Sequence, residues 1–425
     1  MEGMQRKAEW DVAVIGGGPS GMMAAGRAAA LGARVLLIEK NAALGKKLLI
    51  SGGGRCNFTN AEFDTRTLLS KFREASDFLH SPFSQFGVKD AIEFFERLGM
   101  PAKIEEGKRA FPASNKSVSV RDALVSYMAK GNATILLNNS VARIEHSDTA
   151  ITGLVLNDGE TITARAYIIA TGGLSRPDTG STGDGFKWLT GLGHTIAKPD
   201  PSLVPIAMSD DWVKELQGVT LTDIKLAVIQ NGKKQLSKKG RILFTHFGVS
   251  GPTIINMSKD VGELLTYGPV EMHLDIQPAF DHGMLNERLQ DIFKTNSNKM
   301  FKSVVGELVP VAAMASIIAR LSGIRPETFC HSITREERMK LIATLKALPM
   351  HVEHLLGSDK AIVTSGGVPL KEVDTRAMRS LKFDNLYLTG DILDIDRPSG
   401  GFSLQLCWTS GYVAGTHAAQ NALAK

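Results

Sequence analysis

The chain predicts an α/β fold in which a Rossmann-like domain is interrupted by a β-rich, barrel-like insertion carrying a helical module. Three observations carry that expectation. A glycine turn joins an apolar strand to a helix of small residues near the start, strand and helix signals alternate to about Lys198, and strand-and-glycine signals return from Ala361 after a middle stretch of different rhythm.

The first element is Asp11-Val12-Ala13-Val14-Ile15, which breaks into Gly16-Gly17-Gly18-Pro19-Ser20-Gly21. In this spacing Gly16 permits the tight turn, Gly18 lets backbone amides approach a pyrophosphate, and Gly21 lets the helix starting near Pro19 and Ser20 lie close to the sheet. The anion then sits on the positive end of that helix. Met22 to Leu31 is rich in helix formers, Gly32-Ala33-Arg34 turns the chain, and Val35 to Ile38 is a second strand ending at Glu39-Lys40. A carboxylate there accepts hydrogen bonds from both ribose hydroxyls of an adenosine and repels a phosphate on that ribose, so the expected ligand is FAD or NAD rather than NADP. A solvated strand end is the bland alternative for Glu39.

A second glycine cluster follows, Ser51-Gly52-Gly53-Gly54-Arg55-Cys56-Asn57, preceded by Gly45-Lys46-Lys47-Leu48. Three consecutive glycines are entropically costly unless the backbone passes close to something flat or bulky. Lys46 and Lys47 add positive charge suited to a phosphate, and Cys56 reads as a packed, inert thiol sooner than a cofactor contact. Phe111, in Arg109-Ala110-Phe111-Pro112, reads as core, and Val120 to Met128 as a helix. Val141 counts among the cofactor-binding candidates. After the hairpin-like Asn157-Asp158-Gly159-Glu160, the strand Ile168-Ile169 runs into Ala170-Thr171-Gly172-Gly173, an ending that resembles one passing beside the adenosine half of FAD in two-dinucleotide-binding flavoproteins. Thr182-Gly183-Asp184-Gly185 starts a helix ending near Gly191, and Pro199-Asp200-Pro201 reads as a linker.

Beyond that linker, Ile224 to Gln230, Arg241 to Phe247 and Val270 to Ile276 are strand-like, while Met284 to Phe293, Lys302 to Leu321 and Arg335 to Leu345 carry helical spacing. The expected division is a cofactor domain in two parts, 1–198 and 356–425, with a β-rich domain at 199–280 and 324–355 and a helical module at 281–323. The closing segment holds Gly390-Asp391, then Arg397-Pro398-Ser399-Gly400-Gly401-Phe402. Asp391 is placed to accept bonds from ribitol hydroxyls or to orient the pyrophosphate, and a helix from Leu404 would aim its N-terminal amides at the flavin edge where charge accumulates on reduction.

Composition excludes several classes. With 425 residues, 43% hydrophobic and 22% charged, the chain reads as globular and multidomain. A net charge of +5 with scattered basic residues gives no argument for nucleic acid, and the doublets Lys233-Lys234 and Lys238-Lys239 read as a solvated hairpin end. No apolar stretch reaches membrane-span length and Met1 to Trp10 is not a secretory signal, so cytoplasmic residence is expected. Three separated cysteines without C-x-x-C speak against disulfides, zinc and dithiol chemistry, and no metal is expected.

Taken with the string Phe244-Thr245-His246-Phe247-Gly248-Val249-Ser250-Gly251-Pro252, these motifs resemble one bacterial flavoprotein family, that of aminoacetone oxidase-like and dehydro-bile-acid reductase-like proteins. The resemblance covers nearly the whole chain. It implies a two-dinucleotide-binding FAD domain with an inserted β-rich domain and a helical module, bound FAD, and hydride transfer at flavin N5 with a small organic substrate that enters between cofactor domain and insertion. Asp391 departs from the Glu more usual in the closing motif, and Arg397-Pro398-Ser399 from a more glycine-like link. Electrons pass to oxygen in an oxidase or come from NAD(P)H in a reductase; without a second G-x-G-x-x-G, a nicotinamide is left to transient docking. His246 is the catalytic candidate, a buried histidine satisfied by backbone being the alternative. The competing functions are tRNA modification by an FAD-dependent enzyme and a non-catalytic flavin sensor. Oligomeric state is not readable.

Overall fold

A computed structural model describes residues 9–357, 359–361 and 363–424, so the N-terminal leader reading falls almost wholly outside the described residues. The chain divides into two units, one formed by residues up to Ser202 together with those from Ala361, the other by Leu203–Lys360.

In the first unit, strand β1 (Trp10–Ile15) pairs in parallel with β2 (Val35–Ile38) on one side and with Ala164–Ile169 on the other. Thr134–Leu136 and Leu386–Leu388 extend the parallel core outward, and Arg379–Ser380 and Val373–Asp374 add an antiparallel edge to make seven strands. Val12 to Ile15 and Val35 to Ile38 are buried without alternation, as a parallel sheet covered on both faces requires.

Helix α1 (Pro19–Ala30) owes its close packing to small residues. A Cβ on Gly411 would stand 2.4 Å from the Ser20 carbonyl oxygen, and one on Gly415 2.4 Å from that of Ala24, so the closing helix Phe402–Leu423 approaches α1 backbone to backbone. Trp408 of that helix is fully buried and donates its indole N–H to the Phe58 carbonyl at 2.8 Å. Though 22 residues long, it is no membrane span: no helix among the described residues is long and apolar enough to cross a bilayer.

The expected linker at Pro199 is instead a strand, Ala197–Ser202, paired antiparallel with Val363–Gly367. The ladder has only these two strands, so the missing proline amides break no second row of hydrogen bonds, and the register shifts between Ala197 and Asp200.

The second unit is a closed six-stranded barrel: Ile206–Met208, Gly248–Ser250, Lys233–Phe244, Thr220–Gln230, Glu271–Asp275 and Leu348–Leu355 in spatial order. Leu221 and, past a register shift, Ile224, Leu226 and Val228 at alternating positions are buried in a core that includes Phe244, Met272 and Leu348. Asn231 and Gly232, with φ of 52° and 69°, make the tight turn between the two long strands. Helices His282–Thr295 and Arg335–Lys346 lie in the sequence between barrel strands, the latter begun by a capping box of Thr334 and Glu337. The single helix expected over Lys302 to Leu321 is broken: Phe301–Val304 and Ala315–Ser322 are helical, separated by 3-10 turns and an extended Val309. Pro310 lacks an amide and disfavours helix at the residue before it.

Candidate functional site

The three fingerprint glycines do different work. Gly16 has φ 107°, donates its amide to the Ile38 carbonyl at 2.8 Å, and has room for no side chain, since a Cβ would lie 2.6 Å from the Ala170 oxygen. A Cβ on Gly21 would come within 1.9 Å of the Gly16 oxygen. Gly18, the residue capping α1 ahead of Pro19 and the buried Ser20, meets nothing within 4 Å. Packing therefore demands Gly16 and Gly21, whereas Gly18 faces open space at a helix N-terminus, where an anion is favoured.

Glu39 is 8% exposed, which removes the solvated alternative. Its Oε2 accepts the Gly17 amide at 2.6 Å, and Oε1 accepts the amide and side chain of Asn41 at 2.8 and 2.7 Å. A carboxylate has about four acceptor positions, so capacity for a hydroxyl remains. Lys40 donates to Asp184 at 2.8 Å, and Lys46 to Asn41 at 2.9 Å. Val141 is buried and begins the strand Val141–His146, two residues past Asn139, whose amide bonds the Glu39 carbonyl at 3.1 Å.

In the second cluster Gly52, Gly53 and Gly54 all adopt positive φ, at 57°, 66° and 83°, and Cys56 follows at 59°. L-residues with a Cβ seldom adopt this left-handed run. No protein atom lies within 4 Å of a Cβ on Gly53 or Gly54. Arg55 turns away to Glu105, to Asn115 at 2.7 Å, and over the ring of Phe111 at 4.2 Å, so it pins the loop. Phe111 is buried core. The arginine and Lys103 hold the Glu105 carboxyl down to about 2. Burial pushes the Cys56 thiol up to about 12, against a hydrogen bond from Ser51, in keeping with an inert thiol.

The loop runs on into Phe58-Thr59-Asn60, where both ends of the chain meet. Thr59 Oγ1 bonds Gln405 Oε1 at 2.6 Å, Asn60 donates to the Gly400 carbonyl at 3.1 Å, and a Cβ on Gly401 would lie 2.4 Å from the Thr59 oxygen. Gly400 and Gly401 have φ of 114° and 100°, and the helix begins at Phe402, two residues before the expected Leu404. On the other flank a Cβ on Gly390, φ 74°, would stand 2.7 Å from Ser20 Oγ in the first turn of α1. Ala170 abuts Gly16, and Thr171 and Gly172 continue that turn.

Sequence reasoning missed a buried charge cluster. Asp391 accepts from Arg397 and pairs with Lys47 Nζ at 3.6 Å; the three side chains are 12%, 0% and 25% exposed in that order. Arg397 also donates to the Ile395 carbonyl at 2.7 Å and to Ser403 Oγ at 3.1 Å. Lys47 donates to Ser175 at 2.5 Å. Burial alone would raise the Asp391 carboxyl; the adjacent Arg397 and Lys47 outweigh it and hold it below the usual range, so Asp391 is ionised. Burial lowers the Lys47 ammonium against the pull of Asp391. Two cations thus share one carboxylate, leaving a surplus positive charge. Lys47 and Asp391 were each candidates from the sequence, but their pairing was not legible, because they stand 344 positions apart. The Cys407 thiol is pushed to about 12, first by burial and then by Asp391.

His246 lies in the other unit, exposed at the turn between Lys233–Phe244 and Gly248–Ser250, its ring 4.9 Å from that of Phe247. The alternative of a buried, backbone-satisfied histidine is therefore wrong: a two-strand turn at the barrel end has no interior to hold it.

The first unit's site fits FAD. Open space at Gly18, Gly53 and Gly54 leaves a cradle that side chains would fill, the Lys47 cluster supplies unneutralised positive charge, and Asn57 Oδ1 and Thr171 Oγ1 are buried without a partner among the described residues. Residues 10–417 match the family described as HI0933-like protein Rossmann domain. The chain is 30% identical to the 3-dehydro-bile acid delta(4,6)-reductase of Clostridium scindens, over 96% of this chain and 99% of that protein. It is 29% identical to the ribosomal RNA dihydrouridine synthase of Escherichia coli, over 95% and 96%. In fold it resembles the 3-ketosteroid delta1-dehydrogenase of Sterolibacterium denitrificans, with a TM-score of 0.56 over 97% of this chain and 99% of that one at 14% identity. The chain belongs to this HI0933-like flavoprotein family and is a FAD-dependent oxidoreductase.

Proposed function

We propose that this chain reduces a carbon–carbon double bond conjugated with a carbonyl on a small organic substrate, with NAD(P)H docking transiently as electron source. The observation that carries the reading is likeness along nearly the whole chain to two proteins whose names both describe saturation of such a bond, in a 3-dehydro bile acid and in uridine. Bound FAD supplies hydride transfer at N5. The chain's own residues bind and orient: Gly18 and the first turn of α1 receive the pyrophosphate, Glu39 the adenosine ribose, and the loop Ser51–Asn57 with the turn Gly400–Phe402 the isoalloxazine end. Lys47 places its surplus charge toward the phosphates, and Asp391 and Arg397 fix that lysine. Cys56 and Cys407 stay protonated and contribute no thiol chemistry. The test is anaerobic: the flavin of purified enzyme is reduced with NADPH or NADH, then challenged with an enone steroid or its saturated ketone. Reoxidation by the enone alone is expected; indifference to every conjugated alkene tried, or, in a parallel aerobic sample without alkene, reoxidation by oxygen faster than by any alkene, overturns the reading.

A second reading takes the conjugated bond of a uracil in RNA as the substrate, favoured by the Escherichia coli relative. It replaces the transfer-RNA alternative with ribosomal RNA. Dihydrouridine formed in ribosomal RNA by the reduced enzyme would establish it, and failure of any RNA to reoxidise the flavin would reject it.

A further inference from the structure

The long hairpin of the barrel carries charge that the flavin site does not use. Residues 220–244 hold six basic side chains, Lys225, Lys233, Lys234, Lys238, Lys239 and Arg241, against a single acid, Asp223. The register sets Lys225 directly opposite Lys239 and Ile229 opposite Lys234, on the face away from the buried Leu226 and Val228. Between them Ala227 faces Ser237, so only small side chains separate these lysines. Lys233, Lys234 and Lys239 are exposed and Lys225 is half-buried. None of these four has an acidic partner among the described residues. The nearest carboxylates on the adjoining strand are engaged elsewhere, Glu271 with His273 at 3.1 Å and Asp275 with Lys346 at 2.7 Å. Like charges directly opposite on a sheet destabilise it; on its other side Lys225 stands opposite Asp275, whose carboxylate is paired with Lys346, and Lys239 has no acid opposite it.

We infer that the outer face of the hairpin Thr220–Phe244 is an electrostatic docking surface for the phosphate backbone of RNA. The inference rests on the uracil reading, which supplies a polyanion as the substrate's carrier; charge complementarity then selects this face. Lysines act there as point charges that neutralise phosphates without reading sequence, so the surface governs affinity and leaves the chemistry to the flavin.

The test compares FAD-loaded wild type with a variant carrying Lys225, Lys233, Lys234 and Lys239→Gln, and with a control carrying Lys71, Lys89, Lys130 and Lys371→Gln, which loses the same net charge. Binding of a fluorescent single-stranded ribosomal RNA fragment is titrated across salt. The hairpin variant is expected to bind at least about tenfold more weakly at low salt, with a log–log salt slope shallower by about 3, from roughly 0.7 for each phosphate no longer neutralised. The control is expected to keep the wild-type slope, and reoxidation of reduced flavin by free uridine or an enone is expected to be equal in all three. A double variant K225Q/K239Q should melt no lower than wild type and still flatten the slope, which guards against misfolding. An unchanged slope in the hairpin variant, an equal loss in the control, or a variant that loses binding only to anionic phospholipid vesicles overturns the inference. If wild type binds RNA and the hairpin variant does too, only this surface is wrong; if wild type neither binds RNA nor reduces its uracil, the uracil reading falls as well.

Discussion

Replacing Lys47 by methionine keeps the length of the side chain and removes one of the two cations on Asp391. Across 3.6 Å the Lys47–Asp391 attraction amounts to roughly 4–5 kcal/mol at an effective dielectric near 20. Desolvating the ammonium costs several kcal/mol in the other direction. The folded state is therefore expected to lose only about 0–2 kcal/mol, with Arg397 still neutralising Asp391. Cofactor binding behaves differently, because the surplus charge disappears while the pyrophosphate keeps its own. Loss of one charge-assisted bond of about 1.5–3 kcal/mol weakens FAD roughly 10- to 150-fold. The assay is quenching of flavin fluorescence on titration of apoprotein with FAD and, in parallel, with riboflavin, which has neither phosphate nor adenosine. FAD affinity should fall and riboflavin affinity should hold. A fall of less than about threefold for FAD, or an equal fall for both ligands, would refute the argument that this lysine faces the phosphates.

Gly18→Ala should melt like wild type, because nothing stands within 4 Å of the new methyl, yet bind FAD at least about tenfold more weakly; Gly21→Ala, blocked at 1.9 Å, should lose about 1–3 kcal/mol of stability, and equal melting of the two variants contradicts the division of labour. His194 is buried between Glu372 at 2.6 Å and Ser380 at 2.9 Å, and burial, partly offset by Glu372, lowers it below its ordinary 6.5. The unfolded chain then takes up the proton first, so stability is full above that value and declines as pH falls. Melting from about pH 7.5 to about pH 5.5 should show a drop that His194→Gln reduces, and parallel profiles would rule the effect out. Cys56 and Cys407, each pushed to about 12, and the buried Cys330 should resist a neutral thiol reagent until denaturant is added; labelling of the native protein at either of the first two contradicts their burial.

What the sequence made legible was local. The G-x-G-x-x-G turn, β2 ending at Glu39 and the helix after Thr182 each announce themselves within a dozen residues, because positive φ demands glycine and buried parallel strands demand unbroken apolar runs. The barrel showed through short strand-like runs such as Ile224 to Gln230, set off by polar turns; in the fold every second side chain from Ile224 to Gln230 faces inward. Long-range partnerships left no such trace. Lys47 carries the same signal as Lys46, and only the fold puts one on Asp391 and the other on Asn41. Gly411 and Gly415 look like weak helix positions until α1 is laid against them. Pro199 and Pro201 spoke for a linker because their cost to a strand depends on how many neighbours that strand has. Tertiary context likewise decided His246, whose string is distinctive while its position is an exposed turn.

Because the strands from Val363 onward and the helix Phe402–Leu423 complete a domain whose first part ends at Ser202, the ribosome must deliver 221 further residues before that helix is whole and the domain can close. At about 5–20 residues per second, roughly ten to forty-five seconds pass in which the Ala164–Ile169 edge and the apolar side of α1 have no lid. The barrel is contiguous in the chain and free to fold during that interval. A nascent chain stalled after the barrel would thus present one finished domain beside an open hydrophobic seam, a natural target for chaperones.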